Sequence, residues 1–197
     1  MKLRAAKVAR KTKETDVTVR VRLDGGAGKC TAKTGIRFLD HMLASLATHS
    51  LIDVTVTAKG DLQHHIVEDV AITLGKAISM ALGDRVGIRR FGDAIVPMDD
   101  ALALAAVDLV KRPYSVVDLR LKRVMLEDAP REDLEHFFGS IAQAMEATVH
   151  VKVLEGSNDH HIFEAAVKAF ALALREAIAP DPRRAKIKGP PSSKGSM

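Results

Sequence analysis

The chain has 197 residues, 47% of them hydrophobic, a single cysteine and a net charge of +5. That length suits one domain or two fused halves around a sizeable core. One cysteine, Cys30, excludes an internal disulfide framework and an all-cysteine metal site, so a reducing compartment, the cytoplasm, is expected. Charge gathers at the ends. Lys2, Arg4, Lys7, Arg10, Lys11 and Lys13 open the chain, and Arg183, Arg184, Lys186, Lys188 and Lys194 close it, which leaves residues 14–180 acidic. An acidic body with no Trp and one Tyr lacks the basic stripe and stacking aromatics of a nucleic-acid reader. The basic start carries no apolar stretch, and no apolar run is long enough to span a bilayer, so neither processing nor membrane insertion is expected. Basic ends suit a small phosphorylated ligand.

Read in chain order, Thr15 to Leu23 and Cys30 to Thr34 alternate like strands, and the segment from Leu39 to Leu46 has helical periodicity. Ile52 to Thr57 is again strand-like, Gly60 makes a turn, and His64-His65-Ile66-Val67-Glu68 opens a long apolar helix ending near Leu82. The same order then returns. Ala94 to Val96, Leu102 to Leu109 and Val116 to Leu121 read as strands, and Leu134 to Ile141 as a helix. Thr148 to Val153 is a strand, Gly156 a turn, and His160-His161-Ile162-Phe163-Glu164 starts a helix ending near Ile178. From Ala179 the Pro, Gly and Ser content predicts a loop.

The two runs match residue for residue at an offset of about 95 positions, with Leu39-Asp40-His41-Met42 over Leu134-Glu135-His136-Phe137. Residues 1–88 and 89–179 are therefore expected to be duplicated ββαβα halves, followed by a basic tail, 180–197. The fold class predicted is α/β of the two-layer α+β kind: helices packed on mixed four-stranded sheets, the halves related by a pseudo-two-fold.

Six of the eight histidines occupy repeat-equivalent positions: His41 with His136, His64 with His160, His65 with His161. His49 and His150 have no repeat partner and are expected to be structural. On a helix, positions i and i+4 lie about 40° apart and i and i+3 about 60°, so Glu68 or Glu164 can share an ion with either neighbouring histidine. Adjacent histidines diverge by about 100°, so a doublet points to two ions. If the copies face each other, each ion takes one histidine from each doublet, one single histidine and one glutamate. That set is His41, His64, His65, Glu68, His136, His160, His161 and Glu164. Imidazole with carboxylate suits Mn, Fe or Zn, and four ligands leave positions open for substrate.

With these residues in place, the chain resembles imidazoleglycerol-phosphate dehydratases of histidine biosynthesis. The likeness runs through Lys13-Glu14-Thr15, Leu23-Asp24-Gly25, Phe38 to Leu43, both HHxxE helices and Leu82-Gly83-Asp84. It continues through Arg90-Phe91-Gly92, Pro97 to Ala101, Arg112-Pro113-Tyr114, His136-Phe137-Phe138, Phe163 to Ala169 and Ser192 to Gly195. The resemblance implies a fold like the second domain of a small-subunit ribosomal protein. It also implies two Mn2+ ions per active site on the same eight residues, with Fe2+ or Zn2+ as alternatives, and a homo-oligomer of 24 subunits.

The activity it implies is that of a carbon–oxygen lyase, converting imidazole glycerol phosphate to imidazole acetol phosphate through a di-metal-stabilised imidazolate. Arg90, Arg112, Lys168, Ser192 and Lys194 match the family's phosphate-binding residues. Glu14 and Asp99 are the candidates for proton transfer and substrate positioning, and Glu164 joins them in the catalytic set. Two departures stand out. The turn Gly60-Asp61-Leu62-Gln63 is shorter than usual, so the carboxylates that orient the first histidine doublet are expected to be missing from it, and Arg37 stands where a small residue or proline is common. The readings of other classes are a metal-linked assembly protein without catalysis and a metallohydrolase.

Overall fold

The computed structural model describes residues 3–184, 186, 187 and 189–192. The first half runs β1 (Ala5–Lys11), β2 (Thr15–Arg22), β3 (Cys30–Lys33), α1 (Arg37–Ser50), β4 (Asp53–Gly60) and α2 (Gln63–Leu82). The second runs β5 (Phe91–Met98), β6 (Ala101–Asp108), β7 (Tyr114–Asp118), a short hairpin β8 (Met125–Leu126) and β9 (Ala129–Pro130), α3 (Arg131–Met145), β10 (Thr148–Glu155) and α4 (Asp159–Ile178). Before its first helix the first half has one strand more than the two expected, and the second has its three expected strands followed by the short β8–β9 hairpin. In the first half the addition is β1, where Ala5, Lys7, Ala9 and Lys11 face out and the basic side chains stay in water while the backbone pairs with β2.

The two four-stranded sheets share one topology. Their orders are β1-β2-β4-β3 and β5-β6-β10-β7, with one parallel pair each, β3/β4 and β7/β10, and antiparallel pairs elsewhere. Strict alternation sets which face meets the helices. Thr15, Val17, Val19 and Val21 of β2 point inward while Asp16, Arg20 and Arg22 face out, and Ala101, Ala103, Ala105 and Val107 do the same for β6.

Helices α1 and α2 cover the first sheet, α3 and α4 the second, and the helices meet across the middle, α2 on α3 and α1 on α4. One hydrophobic core therefore runs from sheet to sheet, with Phe138, Phe163 and Phe170 at its centre. Close approach between the halves depends on small residues. A Cβ on Gly75 of α2 would stand 2.7 Å from the Ile141 carbonyl oxygen of α3. Gly75→Ala is accordingly expected to lower stability by about 1–3 kcal/mol despite alanine's better helix propensity, read as a lower denaturant midpoint; an unchanged or higher midpoint would refute the tight packing. Among the described residues no helix is long and apolar enough to cross a membrane.

Candidate metal centre

The facing helices put the histidines where the two halves meet. His41, from the first turns of α1, and His160 and Glu164, from the start of α4, bring their ligand atoms within 4.8 Å of one another. Glu164 Oε2 lies 3.4 Å from His160 Nε2 and 3.9 Å from His41 Nε2. The repeat-related trio is looser. His64 Nε2 is 4.0 Å from Glu68 Oε2 on α2, and the His64 ring centroid is 6.1 Å from that of His136 on α3. In each trio the single histidine comes from one half, and the doublet histidine and glutamate from the other. The second member of each doublet points elsewhere: His65 sits 4.0 Å from Glu14 at the β1–β2 turn, and His161 Nε2 sits 3.4 Å from Asp99 at the β5–β6 turn.

All four doublet histidines are clamped through Nδ1 by a carboxylate. His64 meets Asp133 at 2.8 Å, His65 meets Asp61 at 2.8 Å, His160 meets Glu127 at 3.1 Å and His161 meets Asp100 at 2.6 Å. Such clamps fix the tautomer and leave Nε2 as the donor, which is the arrangement metal-binding imidazoles need. The expectation that the first doublet lacks these carboxylates is therefore corrected. Asp61 sits within the short turn itself, and Asp133 arrives from α3, far away in sequence, which is why the local reading missed it.

The same bonds shift the ionisation of these groups. The Asp61 hydrogen bond pushes His65 above the usual histidine range, and His161 together with the Ser157 and Asn158 amides holds Asp100 well below the usual carboxylate range. Burial alone would raise Glu164. The Lys168 ammonium, hydrogen-bonded to Oε1 at 2.8 Å, outweighs it with help from His41 and His160, so the carboxyl lies below its ordinary value.

The segment 127–133, from the β8–β9 turn into the first turn of α3, reaches both trios. Glu127 holds His160, Asp133 holds His64, and Asp128 accepts from the amides of Arg37 and Phe38, capping a helix whose own Ile36 supplies no side-chain cap. Arg37, Phe38, His41, Glu127, Asp128 and His160 line a cavity of about 420 Å³, which gives Arg37 a place at the rim of the site. A larger apolar groove, about 840 Å³, leads from Glu68 along α2 and α3 and holds no doublet histidine.

The remaining candidates are dispersed. Glu14 and Asp99 are exposed at the tips of the two hairpins, Asp99 with a left-handed φ of 47°. Lys168 bonds Glu164 and approaches the Met98 sulfur at 3.2 Å. Arg90 is committed to Asp108 at 2.7 Å and to the carbonyl of Pro191, which draws the chain before Ser192 onto the second half. Arg112 is exposed in the β6–β7 connection. Lys194 lies outside the described residues. His49, expected to be structural, is half-buried on α1 and in neither trio; burial, helped by the Lys168 charge and opposed by Glu164, pushes it below the usual histidine range.

A duplicated α/β protein with paired histidine–carboxylate centres is thus what the fold and the site define. The sequence profile of imidazoleglycerol-phosphate dehydratase matches residues 34–174. An imidazoleglycerol-phosphate dehydratase from Chlorobium luteolum is 52% identical over 178 residues, 89% of this chain and 88% of the relative, and one from Acetivibrio thermocellus is 49% identical over 98% and 99%. The crystal structure of the Pyrococcus furiosus protein, in complex with a bound compound, superposes with a TM-score of 0.83 at 40% identity, covering 96% of this chain and 100% of that one. That of Staphylococcus aureus gives 0.82 at 29% identity over 90% and 99%. The chain belongs to the imidazoleglycerol-phosphate dehydratase family.

Proposed function

We propose that this chain removes water from imidazole glycerol phosphate to give imidazole acetol phosphate, as a cytoplasmic carbon–oxygen lyase of histidine biosynthesis using two Mn2+ ions per active site. The observation that carries the reading is the twofold recurrence of one donor set, a single histidine, a carboxylate-clamped doublet histidine and a glutamate one turn further on. Family membership supports the substrate.

The donors fit such ions, since neutral imidazoles with a carboxylate suit Mn2+, and also Fe2+ or Zn2+. His41, His160 and Glu164 would hold one, and His136, His64 and Glu68 the other. His65 and His161, turned away from both trios, are left to complete sites on neighbouring copies. Bound there, such ions would supply the Lewis-acid positive charge that favours the anionic form of the substrate's imidazole ring.

The chain's own residues supply the proton transfers and the grip on phosphate. Glu14 is exposed, stands beside His65 and belongs to neither trio, which suits a group that exchanges a proton with the substrate. Asp99 occupies the corresponding place beside His161 and suits substrate positioning. Glu164 takes part in catalysis as a donor whose second oxygen holds Lys168. Lys168, Arg90, Arg112, Ser192 and Lys194 bind the phosphate through charge-assisted hydrogen bonds. Among the described residues Lys168 and Arg90 share no partner. Assembly into a closed homo-oligomer, 24 subunits by resemblance to the family, completes the phosphate site.

Turnover of imidazole glycerol phosphate with Mn2+ supplied tests the reading. We expect loss of one water per substrate, about two ions per chain by elemental analysis, and a fall in assembled mass when metal is stripped. Metal-dependent assembly without turnover would favour the non-catalytic assembly protein instead.

A further inference from the structure

We propose that the two duplicated centres are unequal, and that the centre of His136, His64 and Glu68 takes its divalent ion more tightly than the centre of His41, His160 and Glu164. This rests on the two-ion reading above and adds an order of filling to it. Duplication by itself would make the centres alike, so any difference must come from positions where the copies have diverged, and such positions touch the ligands directly.

The first is the repeat pair Asp133 and Phe38. Asp133 is 2% exposed and stands 2.8 Å from His64 Nδ1. Poorly screened by water, its charge holds the proton on Nδ1 and makes Nε2 a stronger donor. At the equivalent place in the other copy, Phe38 packs its ring 5.2 Å from that of His160 and supplies no charge. His160 depends instead on Glu127, which is 56% exposed and more distant at 3.1 Å. A solvated carboxylate is screened, so it orients the ring while adding less to its donor strength.

The second pair is Lys168 and Ile72. Lys168 follows Glu164 by one turn of α4, and its Nζ sits 2.8 Å from Oε1. An ammonium there occupies one lone-pair direction of the ligand carboxylate and repels an incoming dication. Burial of Glu164 strengthens its own attraction for a dication, and the ammonium in contact with it offsets part of that gain. Ile72 stands one turn after Glu68 and opposes nothing. Both divergences act in the same direction: His64 is the better-supported donor, and Glu68 is the carboxylate with no cation one turn further along its helix.

A Mn2+ titration of the full chain, following free Mn2+ by electron paramagnetic resonance, tests this without turnover. Two classes of site are expected, separated by about tenfold or more in Kd. His41→Ala should abolish the weaker class and keep the tighter, and His136→Ala should do the reverse. Asp133→Asn should weaken the tighter class by about 10–100-fold. Lys168→Met should tighten the weaker class, a gain that no general damage to the fold produces. Circular dichroism checks that each variant keeps its helices. Equal affinities, removal of the tighter class by His41→Ala, or a weaker class indifferent to Lys168→Met would overturn the inequality while leaving the two-ion reading intact. Failure of the unaltered chain to take up Mn2+ would overturn both.

Discussion

Replacing His160 by alanine is expected to lower kcat/KM by at least about 1,000-fold while the helices persist. His160 is the meeting point of its centre: its Nε2 lies 3.4 Å from Glu164, its Nδ1 is held by Glu127, and its ring packs on Phe38. Alanine leaves Glu164 with Lys168 and a single imidazole, His41, which do not retain an open-site ion. Elemental analysis should show bound metal falling from about two ions per chain to about one. His49→Ala is the contrast, because His49 is outside both trios and metal content should stay unchanged. Equal metal loss in the two variants, or near-normal turnover by His160→Ala, would dismantle the assignment.

Glu14→Gln is expected to separate chemistry from metal binding. The β1–β2 turn that carries Glu14 is held tightly: Thr12 Oγ1 accepts from the Glu14 and Thr15 amides, and Thr15 Oγ1 donates to Asp69, which also accepts from Arg10. The turn is further pinned where the Asp61 amide donates to the Glu14 carbonyl at 3.1 Å. Neutralising the side chain should therefore leave its position, and the metal content, intact. An amide cannot accept the proton, so kcat should fall by about 100–10,000-fold with KM little changed. A rise in KM with kcat preserved would make Glu14 a binding residue, and wild-type turnover would remove it from the reaction.

Chain-order reading of strands and helices succeeded where the periodicity was strong. The helices expected to end near Leu82 and Ile178 do so, and the strands after each first helix fall where β-branched alternation put them. It failed at β1, because Lys7, Arg10 and Lys11 look like a solvated basic arm. Pairing with β2 is what orders that segment, and pairing is a tertiary event.

The repeat, the α/β class and a candidate set of ion-binding histidines and glutamates were legible in the chain alone. These depend on residue type at a fixed offset and on helical angles, both of which are local. The groupings came from packing. Because α1 packs on α4 and α2 on α3, His41 joins His160 and Glu164, and His136 joins His64 and Glu68, while His65 and His161 turn away toward the hairpin tips. Three of the four carboxylate clamps were invisible for the same reason, Asp61 beside His65 being the local exception. Asp133 stands 69 positions from His64 and Asp100 stands 61 from His161. No periodicity relates residues so far apart in sequence; the packing of helices between two sheets brings them to hydrogen-bonding distance, and that packing depends on the whole core.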